Sequence, residues 1–293
     1  MVDRIHILMM KHKVNSNNEK KLYFLNQTVT PDTEICRYMG FDVFLQLLGG
    51  VFYVPRKQSF LDARESGKIP MKFKFGFQNI SNPEFKSLKT NEEKHTETTQ
   101  YLQNLVRSQL LLTSCWACNY GEDYLMWKSY TNDTIGVCVR TTIDKLMQAI
   151  NYDDKGYIPI CSPMTYRHTT PNIDFMESMF TKEPFYISEN ELRIYFIPKE
   201  VALSHDWIDA DNNSVKQLLI ETSEYEEKLL QQKEEKYPKH VTFEINPAFI
   251  DSIILSPFIK PNTYQYFLKA LNGYFADFFK NGIKVNHSEI TIK

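Results

Sequence analysis

Glycine is scarce in this chain, 10 of 293 residues, about half the roughly 7% of an average protein. Loops that cradle phosphate need glycine, because backbone N–H groups must approach the anion closely. Neither G-x-G-x-x-G nor G-x-x-x-x-G-K-S/T occurs. A doubly wound dinucleotide fold and a P-loop NTPase are therefore excluded. Any nucleotide bound here has to be held by arginine and aromatic side chains.

Lys+Arg number 34 and Asp+Glu 36, a formal net charge of −2, with 42% hydrophobic and 24% charged residues. That composition belongs to a globular chain able to bury a substantial core. The near-neutral balance argues against a broad nucleic-acid footprint, although a local basic groove survives such averaging. No run of about 18 apolar residues occurs, so no membrane partner is expected. The apolar stretch Ile5 to Met10 contains His6 and is too short for a signal-peptide core. Five irregularly spaced cysteines do not suit a secreted disulfide framework, and a cytoplasmic location is expected.

Hydrophobic patterning predicts strands at Ile35–Met39, Val51–Val54, Leu110–Thr113, Gly136–Arg140, Tyr157–Cys161, Phe185–Ile197, Val241–Ile245, Ile253–Leu255 and Gly282–Ile290. Helices are predicted at Phe41–Leu48, stopped by Gly49-Gly50, and at Glu122–Tyr130, Ile143–Ile150 behind a Thr142 cap, and Tyr264–Phe279. Thr90-x-x-Glu93 is a capping box opening a further helix, and Asn213 to Lys236 is a highly charged one. Strands and helices mix without strict alternation, which predicts an α+β fold with a mixed or antiparallel sheet core and flanking helices. One domain is expected over 1–293, with the site core in 32–200 and the charged helical segment in 211–238.

Several motifs invite a chemical reading. Cys115-x-x-Cys118 has neither a second C-x-x-C nor an H-x-x-x-H to complete a zinc site, so no metal is expected. Small buried thiols beside Trp116 account for it. Asp62 with Glu84-x-Lys86 imitates a metal-nuclease set, but Pro83 precedes the pair and strand character is missing. G-x-S-x-G and H-E-x-x-H are absent. The most informative run is Glu189-x-Glu191-x-Arg193, whose members share one face of an extended segment while Leu192, Ile194 and Phe196 face the core. Such a face is either a solvated strand with mutual ion pairing or a glutamate presented to a developing positive charge.

Five blocks resemble the bacterial domain of unknown function 2971 (DUF2971) family. They are Ile35 to Met39 with Gly50 to Arg56 and Phe60 to Glu65; Thr113 to Asn119; Leu125 to Tyr130 with Gly136 to Val139; Glu189-x-Glu191-x-Arg193; and Ile253 to Pro257. Together they run from about residue 35 to 290. Ala63 stands where that family more often carries proline.

The order of these residues is also similar to the Arg…Ser…Glu-x-Glu layout of ADP-ribosyltransferases. That resemblance implies a split-sheet fold and NAD as substrate, with ADP-ribose passed to a protein or nucleic-acid acceptor or to water. It implies Glu191 as the carboxylate at the ribose and Glu189 as the group that orients or deprotonates an acceptor. Arg37 would clamp a phosphate and Ser114 would orient Glu191, with Tyr38, Thr113 and Arg193 among the cofactor-binding residues. Arg193 completes the acidic motif, and Trp116, Trp127 or Tyr130 would stack on nicotinamide, although helical spacing suits core packing for the last two. A toxin or anti-phage effector of this type implies a regulatory partner or antitoxin. The alternative is a non-catalytic nucleic-acid or protein-binding component, suggested by Tyr264, Tyr266, Phe267, Tyr274, Phe275, Phe278 and Phe279 among Lys260, Lys269 and Lys280.

Overall fold

The computed structural model describes residues 13–15, 21–24, 28–56, 111–118, 121–131, 135–168, 179–198, 238–274, 276 and 282–291. The helix at Thr90, the Phe60–Glu65 block, the Asp62/Glu84/Lys86 set and the charged helix from Asn213 to Lys236 lie outside them. So do Asn119, Phe275, Phe278, Phe279 and Lys280.

In chain order the elements are β1 (Lys13–Asn15), β2 (Lys21–Phe24), β3 (Glu34–Gly40), α1 (Phe41–Leu48), β4 (Val51–Pro55), β5 (Leu112–Ala117), α2 (Tyr124–Thr131), β6 (Gly136–Thr142) and α3 (Ile143–Ala149). There follow β7 (Tyr157–Pro163), β8 (Thr165–Tyr166), β9 (Thr181–Lys182), β10 (Glu191–Pro198), β11 (His240–Glu244), β12 (Ser252–Leu255), α4 (Pro261–Tyr274) and β13 (Lys284–His287). Among the described residues nine strands form one sheet in the order β1-β2-β7-β10-β5-β3-β6-β12-β13. Its pairs are antiparallel except β2 with β7 and β12 with β13. β4 and β11 make a separate antiparallel ribbon, and β8 and β9 a short parallel one. This is the expected α+β architecture with a mostly antiparallel sheet.

Every residue of β10 is buried. Its odd and even positions therefore serve two different interiors. Leu192, Ile194 and Phe196 join the main core with Leu112, Trp116, Val137 and Val139. The ribbon covers that face: Phe243 lies 4.9 Å from Phe196 between ring centroids and Phe52 lies 6.5 Å away. Phe44, Leu47, Ile143, Leu146, Phe267 and Leu271 bring α1, α3 and α4 into the same core. On the other face Trp127 of α2 packs with Cys36, Tyr38, Ala117, Cys138 and Ile254.

Local chemistry explains most boundaries. The Gly49 and Gly50 N–H groups close α1 on Leu45 and Leu47, and Gly50 has φ 82, a backbone state glycine adopts without a Cβ clash. Thr142 Oγ1 accepts from Lys145 N at the start of α3, and Asp123 Oδ1 accepts from Leu125 and Met126 N at the start of α2. One boundary differs from expectation. Pro184–Glu189 is a 3-10 helix rather than the first half of a strand, because Pro184 lacks the N–H a ladder needs and presets a helical φ. The C-terminal strand is likewise shorter than Gly282–Ile290, and α4 begins at Pro261. Among the described residues no helix is long and apolar enough to cross a membrane.

Gly136 begins β6 where α2 passes closest. A Cβ there would lie 2.2 Å from Thr131 Cγ2 and 3.0 Å from the Met39 carbonyl oxygen. Thr131 is buried and held by its hydroxyl to Trp127 O at 2.7 Å, so it cannot swing away. Gly136→Ala is expected to destabilise the fold by about 1–3 kcal/mol, read as a lower urea midpoint with an unchanged slope.

Candidate functional site

The mouth of β10 is pinned from both sides. Asn190, at φ 40, turns the chain out of the 3-10 helix. Its Nδ2 donates to Cys118 O and its carbonyl accepts from Cys118 N, both at 2.8 Å. The next amide, Glu191 N, donates to Tyr166 Oη at 2.6 Å. These three bonds fix where the Glu191 side chain leaves the sheet.

The Glu191 carboxylate is engaged on both oxygens. Arg193 Nε donates to Oε1 at 2.5 Å and Nη2 to Oε2 at 3.3 Å. Lys182 Nζ reaches Oε2 at 2.9 Å and also Glu189 Oε2 at 2.6 Å. The ammonium stands 4.5 Å from the Tyr186 ring centroid. Arg193 continues inward, its Nη1 donating to Tyr195 Oη, which itself donates to Met179 O at 2.8 Å. Cys115, paired directly across from Arg193, also hydrogen-bonds Glu191. Exposed Tyr130 on α2 lies within electrostatic reach of Glu189, Glu191 and Lys182.

Two carboxylates and two cations cancel formally, and Lys182, Glu191 and Arg193 are all buried. Glu189 keeps 20% of its side chain exposed and is the wet end of the chain of charges. Burial alone would push the Glu191 carboxyl up. Attraction and hydrogen bonding from Arg193, then Lys182 and Cys115, outweigh it and bring the pKa down to about 2. Glu191 is thus a permanent anion, unsuited to exchanging protons near neutral pH and suited to holding positive charge. Of the two readings of the Glu189-x-Glu191-x-Arg193 pattern, the solvated strand face does not hold, since Glu191 and Arg193 are buried. Glu189 itself sits on the 3-10 helix, not on the strand.

The other sequence-derived residues divide by strand parity. Cys36 pairs with Ala117, and Ala117 pairs with Glu191. Arg37, Ser114 and Trp116 therefore project from the opposite face of the sheet. There Arg37 Nη1 donates to Ser114 Oγ at 3.4 Å and Trp116 Nε1 donates to the same oxygen at 3.0 Å. Tyr38 shares a face with Glu191 but points toward α2. It meets Trp127 edge-on at 4.8 Å, and its hydroxyl accepts from Asp123 N at 3.0 Å. Trp127 is fully buried and donates to Glu122 Oε1 at 3.1 Å. Thr113 is buried opposite Tyr195, and its hydroxyl has no hydrogen-bond partner among the described residues. The structure thus gathers Glu189, Glu191 and Arg193, with Tyr130 and Thr113 nearby. It sets Arg37, Ser114 and Trp116 apart from them.

Lys182, Tyr166 and Tyr186 belong to the charged centre and were not singled out by the sequence. Lys182 lies in a two-residue strand with no periodicity to mark it. Cys115 and Cys118, three apart along extended chain, face opposite sides and do not share a ligand sphere. Burial pushes the Cys118 thiol up to about 12, the reverse of an activated cysteine. Among the described residues no group of three or more His, Cys, Asp or Glu could hold a metal ion.

No family model, curated protein or solved structure matches the chain.

Two outcomes test the charge network. Lys182→Met leaves both glutamates without their shared ammonium and is expected to cost about 3–5 kcal/mol of stability in urea melts. The folded Glu191 carboxyl titrates below its ordinary 4.5. Its contribution is therefore complete above that pH and is lost as pH falls toward about 2. The stability gap between wild type and Glu191→Gln should close across that window.

Proposed function

We propose that the protein is an ADP-ribosyltransferase-type enzyme that cleaves the nicotinamide–ribose bond of NAD. ADP-ribose is then passed to a macromolecular acceptor or to water. The observation that carries this reading is a glutamate held ionised at a strand mouth, two residues after a second, partly wet glutamate. The ribbon β4–β11 set against the main sheet supports the split-sheet architecture such an enzyme needs.

The chemistry follows from charge. As the C1′–N bond breaks, its electron pair leaves with nicotinamide and positive charge grows on the ribose. A fixed carboxylate in a buried setting stabilises that charge without reorganising. Lys182 Nζ, lodged between Glu189, Glu191 and the Tyr186 ring, occupies a position already shaped for a cation. The ribosyl group reaches Glu191 by displacing that ammonium. Glu189, partly exposed at the rim, is placed to orient the acceptor nucleophile. Arg37 and Ser114 project from the other face of the sheet and make no hydrogen bond to Glu191 among the described residues.

A second reading, a non-catalytic binding component, is favoured by one specific observation. Both Glu191 oxygens are already satisfied, and the residue is only 5% exposed.

Incubation of the pure chain with labelled NAD separates the two. Nicotinamide release or label transfer is expected, falling about 10²–10³-fold in Glu191→Gln, with Glu189→Gln losing transfer more than hydrolysis. If wild type gives neither product with protein and nucleic-acid acceptors present, the enzymatic reading is wrong and the binding one stands.

A further inference from the structure

Lys182 is held by the groups that a substrate cation would need. Its Nζ lies 2.6 Å from Glu189 Oε2 and 2.9 Å from Glu191 Oε2, and 4.5 Å from the centroid of the Tyr186 ring. Two carboxylates and an aromatic face are the elements of an ammonium site. One short stretch of chain, Lys182 to Glu191, supplies the ammonium, the ring and both carboxylates. The chain thus builds a cation site and fills it with its own side chain.

The two cations on Glu191 are mounted differently. Arg193 lies inside β10, fully buried, with β5 and β7 paired on either side of it. Its guanidinium spans both Glu191 oxygens and gives a third donor to Tyr195 Oη. Lys182 ends the two-residue strand β9, which pairs with β8 apart from the nine-stranded sheet. An ammonium is a point charge on a flexible stem, whereas a guanidinium fork is tied by its geometry. Glu189 also offers Lys182 a way out, because it shares the ammonium with Glu191 and is 20% exposed. By swinging outward with Glu189 the ammonium gives up Glu191 Oε2 and keeps a counter-charge.

We infer that Lys182 is an exchangeable plug: it closes the Glu189–Glu191–Tyr186 cation site, and its withdrawal onto Glu189 opens Glu191 to an external organic cation. A tethered ammonium competes as an intramolecular ligand, at an effective concentration set by its tether. External cations bind only to the open fraction, and their apparent affinity is reduced by that fraction. Arg193 stays in place throughout and keeps Glu191 ionised. That the plug restrains NAD cleavage rests on the reading of Glu191 as the carboxylate at the ribose; the cation site itself does not.

Thermal melts of the full chain carrying Lys182→Ala test the site in ethylammonium chloride, against sodium chloride at equal ionic strength and ethanol as the uncharged isostere. Ethylammonium returns the missing ammonium, so the melting temperature is expected to rise from about 10 mM upward. Wild type, already plugged, should need at least about tenfold more. Adding Glu191→Gln to Lys182→Ala should abolish the response. With labelled NAD at low concentration, Lys182→Ala should release nicotinamide about tenfold faster than wild type, and ethylammonium should slow the variant alone. The inference is overturned if ethylammonium acts on Lys182→Ala no better than sodium or ethanol, or if it raises wild type equally. It is also overturned if Lys182→Ala releases less nicotinamide than an active wild type. If neither chain releases nicotinamide, the NAD reading fails, and the ethylammonium comparison decides the plug. Should Lys182→Ala not fold, reductive methylation of native wild type decides instead. Lys182 should then be labelled faster than the chain unfolds; labelling only on global unfolding overturns the plug.

Discussion

The alternation of β10, a strand buried on both faces, organises the chemistry around it. Leu192, Ile194 and Phe196 feed one interior, and Glu191, Arg193 and Tyr195 feed another. Because β5 and β7 pair with it residue for residue, parity on β10 sets parity on its neighbours. Ser114 and Trp116 are forced to the apolar side, and Cys115 and Ser162 to the charged side. A one-residue slip in any pairing would exchange the two sets and bury carboxylates against phenylalanine.

The charged side is held by compensation rather than by solvent. Arg193 and Lys182 divide the Glu191 oxygens between them, and Tyr195 passes the remaining arginine donor on to a backbone carbonyl. Such a network adds little net stability over a well-packed apolar one, yet losing a single member leaves a stranded charge. Its value lies in geometry: Glu191 stays anionic and fixed at a strand mouth, with Glu189 on a separate short helix beside it. On the other side of the sheet Arg37 is set between the Phe52 and Trp116 rings and donates to Ser114 Oγ.

How much of this was legible follows the physics of each signal. The Leu192–Ile194–Phe196 alternation, the Gly49-Gly50 stop and the Thr142 cap are local patterns, and each appears where the sequence placed it. The pairing of Glu191 with Arg193 follows from their i, i+2 spacing. Whether Arg37 meets Glu191 depends on the register of β3 against β5 and of β5 against β10, which no local pattern encodes. Arg37 and Ser114 were expected near Glu191 from their order along the chain, and a single residue of register sends them to the other face. Lys182 was invisible because its partners are tertiary: a lysine in a two-residue strand resembles any surface lysine until the fold closes over it.

The position of β10 in the sheet also bears on how the chain comes together. β10 is synthesised after β3, β5, β6 and β7, yet it is inserted between β7 and β5. Until Pro198 has left the ribosome, β5 and β7 each present an open edge with no strand to fill it. β3 and β5 share only the Cys36–Ala117 pair, so β5 gains little from the strand on its other side. Pairing of β10 with β5 and β7 is non-local, a class of contact that slows folding. Closing those two edges is thus the pairing on which the centre of the sheet depends.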